Sequence, residues 1–281
     1  MVKIVGVLGT GQMGNGIAHV FAQHEYQVRL YDVFPAQIEK ALKTIEKNLG
    51  RQAEKGQLPA DSVPAILGRI TVVKDLSGFA DCNLVVEAAS ENEALKLDLF
   101  RQLDQAVNKD AILATNTSSI SITRIAAVTK RPDKVIGMHF MNPVPVMQLV
   151  EVIRGLATSA ETFQVIASLV EKLGKVMAVS QDYPGFIVNR ILMPMINEAI
   201  FALYEGIATA EDIDKGMKLG TNHPMGPLAL ADLIGLDTVL AIITVLYEGF
   251  KDPKFRPCPL LVKMVNAGYL GKKSGRGFYT Y

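Results

Sequence analysis

The chain of 281 residues has no tryptophan, two cysteines and four histidines. Cys82 and Cys258 stand far apart without a CxxC pattern, so no disulfide framework or thiolate metal site is expected. Two buried thiols in a reducing compartment is the simpler reading. His19, His24 and His223 lack metal-ligand spacing, which leaves metal catalysis unsupported. An excess of either charge is missing too, because 29 basic residues face 28 acidic ones for a net +1. That balance gives no electrostatic footprint for nucleic acid or an anionic membrane. Any bound anion needs a local site. Long hydrophobic runs are also scarce. The apolar start, Met1 to Ala22, is interrupted by glycines and by Gln12, Asn15 and His19, which argues against a signal peptide. The run Thr238 to Tyr247 is too short to span a bilayer. A soluble, cytoplasmic protein is expected.

What is present points to a folded chain. About half of it is hydrophobic (49%) and a fifth charged (20%), and its length suits one large domain or two ordinary ones. Val2 to Leu8 reads as a buried strand, followed at once by a glycine-rich turn and a helix over Gly14 to Gln23. Gln27 to Tyr31 reads as a second strand ending at Asp32, and Pro35 opens a helix that continues over Ala36 to Lys55. Apolar, β-rich runs recur at Ile70–Val73, Leu84–Val86, Ile112–Ala114, Val135–Phe140, Leu149–Ile153 and Val176–Val179, with a helix predicted over Ala94 to Val107. Alternating β and α units imply a mostly parallel sheet covered on both faces. Beyond the turn-forming Gln181 to Gly185 the strand-like pattern fades, and Phe186 to Tyr204, Ala210 to Leu219 and Leu236 to Tyr247 look helical. The expected class is therefore α/β: a Rossmann-type dinucleotide-binding domain over 1–183, then an all-helical domain over 184–281.

The turn Gly9-Thr10-Gly11-Gln12-Met13-Gly14 fits G-x-G-x-x-G. Such a match is weak alone, but this one follows a strand, opens a helix and precedes Asp32 by eighteen residues. The first glycine permits the tight turn, the second admits a pyrophosphate, and the third lets helix meet strand. Free N–H groups at the helix start would face the phosphates. Asp32 is placed to accept from ribose hydroxyls and would repel a 2′-phosphate, and Val33-Phe34 offers no compensating base. NAD is expected over NADP.

Further motifs carry a resemblance. Asn116-Thr117-Ser118-Ser119, Gly137 to Pro145, Leu149-Val150-Glu151 and Gly185 to Arg190 together resemble the 3-hydroxyacyl-CoA dehydrogenase family. The closing stretch Gly271 to Tyr279 is similar to that family's C-terminal signature. Within the family the chain looks closest to the compact bacterial enzymes acting on 3-hydroxybutyryl-CoA in butyrate and related fatty acid metabolism. The resemblance implies His139 as general acid/base, Glu151 as the carboxylate orienting it, and Ser118 and Asn189 against the substrate oxygen. It adds Glu91, Lys96, Asn142 and Lys273 to the glycine loop and Asp32 as cofactor contacts, and places Arg51 and Lys55 near coenzyme A phosphates. It further implies an acyl-CoA substrate and a homodimer formed through the helical domain. Met141 departs from the pattern, since an aromatic residue is common there.

Each residue has a plainer alternative. A lone histidine in an apolar strand is more often a core residue, but Glu151 lies in a second apolar run and needs a partner of its own. The eight residues Met141 to Gln148 can bring the two runs side by side, and a purely structural ion pair is the rival reading. Ser118 or Ser119 would equally suit the cap of a following helix. Asn189 sits among Ile187, Val188 and Ile191, which favours a buried, partnered amide over a solvated one. Arg51 and Lys55, four apart, share a helix face that is either a phosphate clamp or ordinary solvated surface. Lys96 has the alternative of an exposed lysine beside Glu93 and Asp98, and Glu87 is either structural or close to the cofactor. Two functional rivals remain: a β-hydroxyacid dehydrogenase using a lysine on a free acid, and a non-enzymatic dinucleotide-binding protein.

Overall fold

The computed structural model describes residues 2–281, so the first residue of the apolar start and of the N-terminal domain lies outside the described residues. The chain divides into two compact units, the first ending at Tyr183 and the second beginning at Pro184.

The first unit runs β1 (Ile4–Leu8), α1 (Gln12–Gln23), β2 (Gln27–Tyr31), α2 (Pro35–Glu54), α3 (Val63–Gly68), β3 (Ile70–Val72), β4 (Leu84–Glu87) and α4 (Glu93–Ala106). It continues with β5 (Ile112–Thr115), α5 (Ile122–Ala126), β6 (Val135–Phe140), β7 (Leu149–Arg154), α6 (Ala160–Lys172) and β8 (Val176–Gln181). The strands form one eight-stranded sheet in the order β3-β2-β1-β4-β5-β6-β7-β8. Reversal of direction about β1 and β4 gives the doubly wound arrangement in which ligands sit outside the carboxyl ends of the strands. Among the strand pairs of the described residues only β6–β7 is antiparallel, and β8 again runs parallel to β7.

Central strands explain their own composition. Val5 and Val7 of β1, Val86 of β4 and Ala114 of β5 are fully buried, as expected of strands covered on both faces. Each large aliphatic residue so buried contributes roughly 1.5–3 kcal/mol before chain entropy is charged against it. On α1 the buried stripe Ile17, Ala18, Val20 and Phe21 packs into the same core as β1 and β2.

The second unit contains α7 (Val188–Tyr204), α8 (Ala210–Gly220), α9 (Pro227–Ile234), α10 (Leu236–Phe250) and α11 (Pro259–Asn266). Ile196, Ile200, Leu228, Val239, Ile243, Leu246 and Leu261 form its separate core. Arg190 lies over the rings of Phe250 and Phe255, at 4.0 and 4.3 Å from their centres, and so joins α7 to the end of α10. Both cysteines are free and buried. Among the described residues, no single helix is long and apolar enough to cross a membrane.

Candidate active site

The glycine turn joins β1 to α1 at the carboxyl edge of the sheet. Gly9 has φ +98°, and a Cβ there would meet the Ala88 carbonyl oxygen at 2.6 Å. A Cβ at Gly14 would lie 1.9 Å from the Gly9 carbonyl oxygen, whereas nothing stands within 4 Å of one at Gly11. The turn is thus closed against its own sheet at the first and third glycines and open at the second. Thr10 is buried, Gly11 and Gln12 are exposed, and Met13 is half-buried. Asp32, just past β2, accepts the Thr10 N–H at 2.7 Å and the Thr10 hydroxyl at 2.8 Å on Oδ2, and the Phe34 N–H at 3.0 Å on Oδ1. An open glycine cradle beside a carboxylate at the second strand end fits a dinucleotide and its ribose.

His139 and Glu151 come from β6 and β7, where the antiparallel register sets them directly opposite. Nδ1 of His139 lies 2.7 Å from Oε2 of Glu151, with the glutamate completely buried and the histidine nearly so. A carboxylate on Nδ1 fixes the tautomer, aims Nε2 away from Glu151 and supports a positive ring. The β6–β7 connection is held by Lys175, whose ammonium donates to the Val144 and Met147 carbonyls at 2.7 Å each. Burial pushes the Lys175 pKa down.

Ser118 follows β5 in a loop gathered by Glu91. One oxygen of that carboxylate accepts the Thr117 hydroxyl at 2.5 Å, the Ser118 N–H at 2.9 Å and the Ser119 N–H at 3.1 Å. Burial raises the Glu91 pKa, but Lys96 and the donors of Thr117, Ser118 and Ser119 outweigh it, and the net shift is downward. Helix α5 starts later, and its cap is Ser121, whose hydroxyl accepts the Arg124 N–H. The capping alternative for Ser118 and Ser119 is therefore wrong. Sequence reasoning had passed over Asp182, which accepts from Ser121, Ile122 and Thr123 at 2.7, 3.0 and 2.7 Å and so fixes this helix start.

Lys96 also differs from its exposed alternative. Its side chain is 1% exposed and pairs at 2.5 Å with Glu87, which is fully buried. The pair could not be read from Glu93 and Asp98 on the same helix, because the partner lies on another element, at the end of β4. Asn142 sits exposed after β6, joined to Pro143 by a cis peptide. Arg51 is exposed on α2 and Lys55 exposed at its C-cap, with no ion pair for either among the described residues. In the second unit, Asn189 is buried in the first turn of α7. Lys273 there pairs with Asp237 at 2.5 and 2.7 Å. Burial raises the Asp237 pKa, but Lys273 and backbone donors bring it below the ordinary value. Among the described residues, no cluster of three or more His, Cys, Asp or Glu could hold a metal ion.

Comparison with known proteins agrees with this architecture. The family model for the 3-hydroxyacyl-CoA dehydrogenase NAD binding domain matches residues 4–183, and the one for its C-terminal domain matches 185–281. The chain is 56% identical over 280 residues to a probable 3-hydroxybutyryl-CoA dehydrogenase of Bacillus subtilis, covering 100% of this chain and 98% of that protein. It is 55% identical to the 3-hydroxybutyryl-CoA dehydrogenase of Bradyrhizobium diazoefficiens, covering 100% and 96%. The crystal structure of (S)-3-hydroxybutyryl-CoA dehydrogenase from Ralstonia eutropha superposes with a TM-score of 0.98 at 50% identity, covering 100% and 99%.

Proposed function

Since this chain belongs to the 3-hydroxyacyl-CoA dehydrogenase family, we propose that it interconverts (3S)-3-hydroxybutyryl-CoA and acetoacetyl-CoA, using NAD(H). The observation that carries the reading is the buried His139–Glu151 pair, 2.7 Å apart at the sheet edge that also bears the glycine turn. A histidine held by a buried carboxylate is built to exchange a proton rather than to fill a core.

The nicotinamide, when bound, supplies or accepts the hydride at C3 of the substrate. Gly9, Thr10, Gly11, Gln12, Met13, Gly14 and Asp32 hold the dinucleotide, and Glu91, Lys96, Asn142 and Lys273 are assigned around it by the family resemblance. In oxidation His139 removes the proton of the 3-hydroxyl. In reduction the imidazolium returns that proton to the developing alkoxide, and Glu151 stabilises the charged ring. On the resemblance, Ser118 and Asn189 hydrogen-bond the same oxygen where negative charge grows. Arg51 and Lys55 receive the coenzyme A phosphates. A homodimer through the helical unit and a cytoplasmic location complete the reading, and light scattering tests the first.

The deciding experiment offers acetoacetyl-CoA and free acetoacetate separately with NADH. Reduction of the thioester alone is expected. Equal use of the free acid favours a β-hydroxyacid dehydrogenase, and turnover of neither favours a dinucleotide-binding protein without this activity.

A further inference from the structure

We propose that the buried Glu87–Lys96 pair, acting through Glu91 and Asn116, is the positioning device that holds Ser118 and His139 in working register. The proposal rests on the roles given to those two residues above, and it makes Lys96 a positioning residue.

Burial of an ion pair does not by itself explain why it is there. Two charges taken out of water lose hydration that their mutual attraction only partly restores, and apolar residues of similar volume would pack the site as well. What apolar residues cannot do is hold several polar groups at fixed places. Glu87, closing β4, uses Oε1 for Lys96 at 2.5 Å and the Ala89 N–H at 2.7 Å, and Oε2 for the Thr115 hydroxyl at 2.7 Å. Lys96, on α4, also donates to the Ala89 carbonyl at 3.2 Å and stands 3.5 Å from Oε2 of Glu91. The buried ammonium thus spends its donors inside the chain and draws the β4–α4 loop shut.

Two arms leave this centre. Through Glu91, the loop after β5 is wrapped around one carboxylate oxygen by the donors of Thr117, Ser118 and Ser119. Thr117 in turn accepts the Ile120 N–H at 2.9 Å. Glu91 is 38% exposed at its side chain, so without the lysine only the donors of the loop itself would hold its carboxylate away from solvent. Through Thr115, whose hydroxyl the Glu87 carboxylate accepts, the end of β5 is set for Asn116: its N–H is bonded to the Glu87 backbone carbonyl at 2.8 Å, and its Oδ1 accepts the N–H of Phe140, the residue after His139, at 2.9 Å. The ends of β4, β5 and β6 are tied into one unit, and small displacements there are costly to a reaction that needs near-attack geometry.

The test uses the full chain in two variants. Glu91→Gln alters the partly exposed end and is expected to fold. Glu87→Gln with Lys96→Met removes both buried charges together, so neither is left unpaired. Hydrogen exchange of the 116–121 segment is measured without ligands, and kcat and KM are measured with acetoacetyl-CoA and NADH. Exchange of this segment is expected to rise about tenfold or more, with α1 unchanged, and kcat, read at saturating NADH and acetoacetyl-CoA, to fall by about tenfold or more. If circular dichroism shows the double variant unfolded, Glu91→Gln alone decides. Wild-type exchange in 116–121, or faster exchange with unchanged kcat, overturns the proposal. If the wild type does not reduce acetoacetyl-CoA yet the segment loosens in the variants, the functional reading fails while the loop-holding arrangement stands.

Discussion

Thr10 gives both its backbone N–H and its hydroxyl to a single oxygen of Asp32, at 2.7 and 2.8 Å. The glycine turn and the end of the second strand are thereby locked together. The second Asp32 oxygen is bonded only to the Phe34 N–H among these contacts and retains capacity for a ribose hydroxyl.

That geometry predicts the cofactor preference. A 2′-phosphate would meet the Asp32 carboxylate, and the adjoining Val33 and Phe34 are exposed apolar residues that bring no positive charge. Like charges about 4 Å apart repel by roughly 1 kcal/mol in water and about 4 kcal/mol at an intermediate dielectric. NADH is therefore expected to exceed NADPH in kcat/KM by roughly fivefold to a thousandfold. Equal efficiency with the two cofactors would refute the role given to Asp32.

The basic pair on α2 makes a separate prediction. Arg51 and Lys55 are exposed without carboxylate partners among the described residues, so their charges are available to a phosphate. Replacing both by Ala should raise KM for acetoacetyl-CoA by about tenfold, since charge-assisted contacts to phosphate are among the stronger ones. Turnover at saturation should change little, because uniform binding is what is lost. An unaltered KM returns the pair to solvated surface.

How much of this was legible depended on sequence distance. The turn from β1 through Asp32 is local, and its glycines, strand and acid could be read directly. The His139–Glu151 pair was readable only as two apolar runs with an eight-residue connection; their antiparallel register belongs to the sheet. Helices α9 and α11 escaped notice because each is eight residues long and begins at a proline, Pro227 and Pro259, which resembles a turn. Helix α6 went unnamed although Ser159 caps it by accepting the Thr162 N–H. Lys96 was ambiguous for a stronger reason. Its partner Glu87 is nine residues away on another element, and only the fold brings buried carboxylate and amine together.

His19 supplies a stability prediction. It is fully buried on α1. Burial lowers its pKa below the ordinary 6.5; nearby Gln52 and Gln23 oppose that shift, and His24 and Lys175 add to it. The unfolded chain therefore takes up this proton more readily than the folded one. The contribution is complete above about pH 6.5 and declines as pH falls through that value, until the lower folded pKa is reached. The slope cannot exceed about 1.4 kcal/mol per pH unit for one group. Melting temperature measured between pH 7 and pH 5 should fall less steeply in His19→Gln than in wild type. Parallel curves would show that His19 does not carry this dependence.

The sharpest prediction concerns the acid/base pair. His139→Ala should lose most turnover while still binding NADH, because the glycine turn and Asp32 are formed by other elements. Glu151→Gln is the subtler variant. Its amide oxygen can still accept from Nδ1, so the ring keeps its place between β6 and β7, but the negative charge opposite it is gone. The imidazolium then loses its support, and at a given pH less of the acid form is available to protonate the developing alkoxide. Reduction of acetoacetyl-CoA should fall by about a hundredfold to ten-thousandfold near neutrality, the usual span for a positioned acid/base group, with its pH profile displaced toward acid. The two variants are to be compared with wild type in pH–rate profiles, with NADH binding followed by fluorescence. Near-normal turnover in His139→Ala would reduce the histidine to a structural residue and end the proposed mechanism. An undisplaced profile in Glu151→Gln would leave the histidine in place and remove the carboxylate from its charge balance.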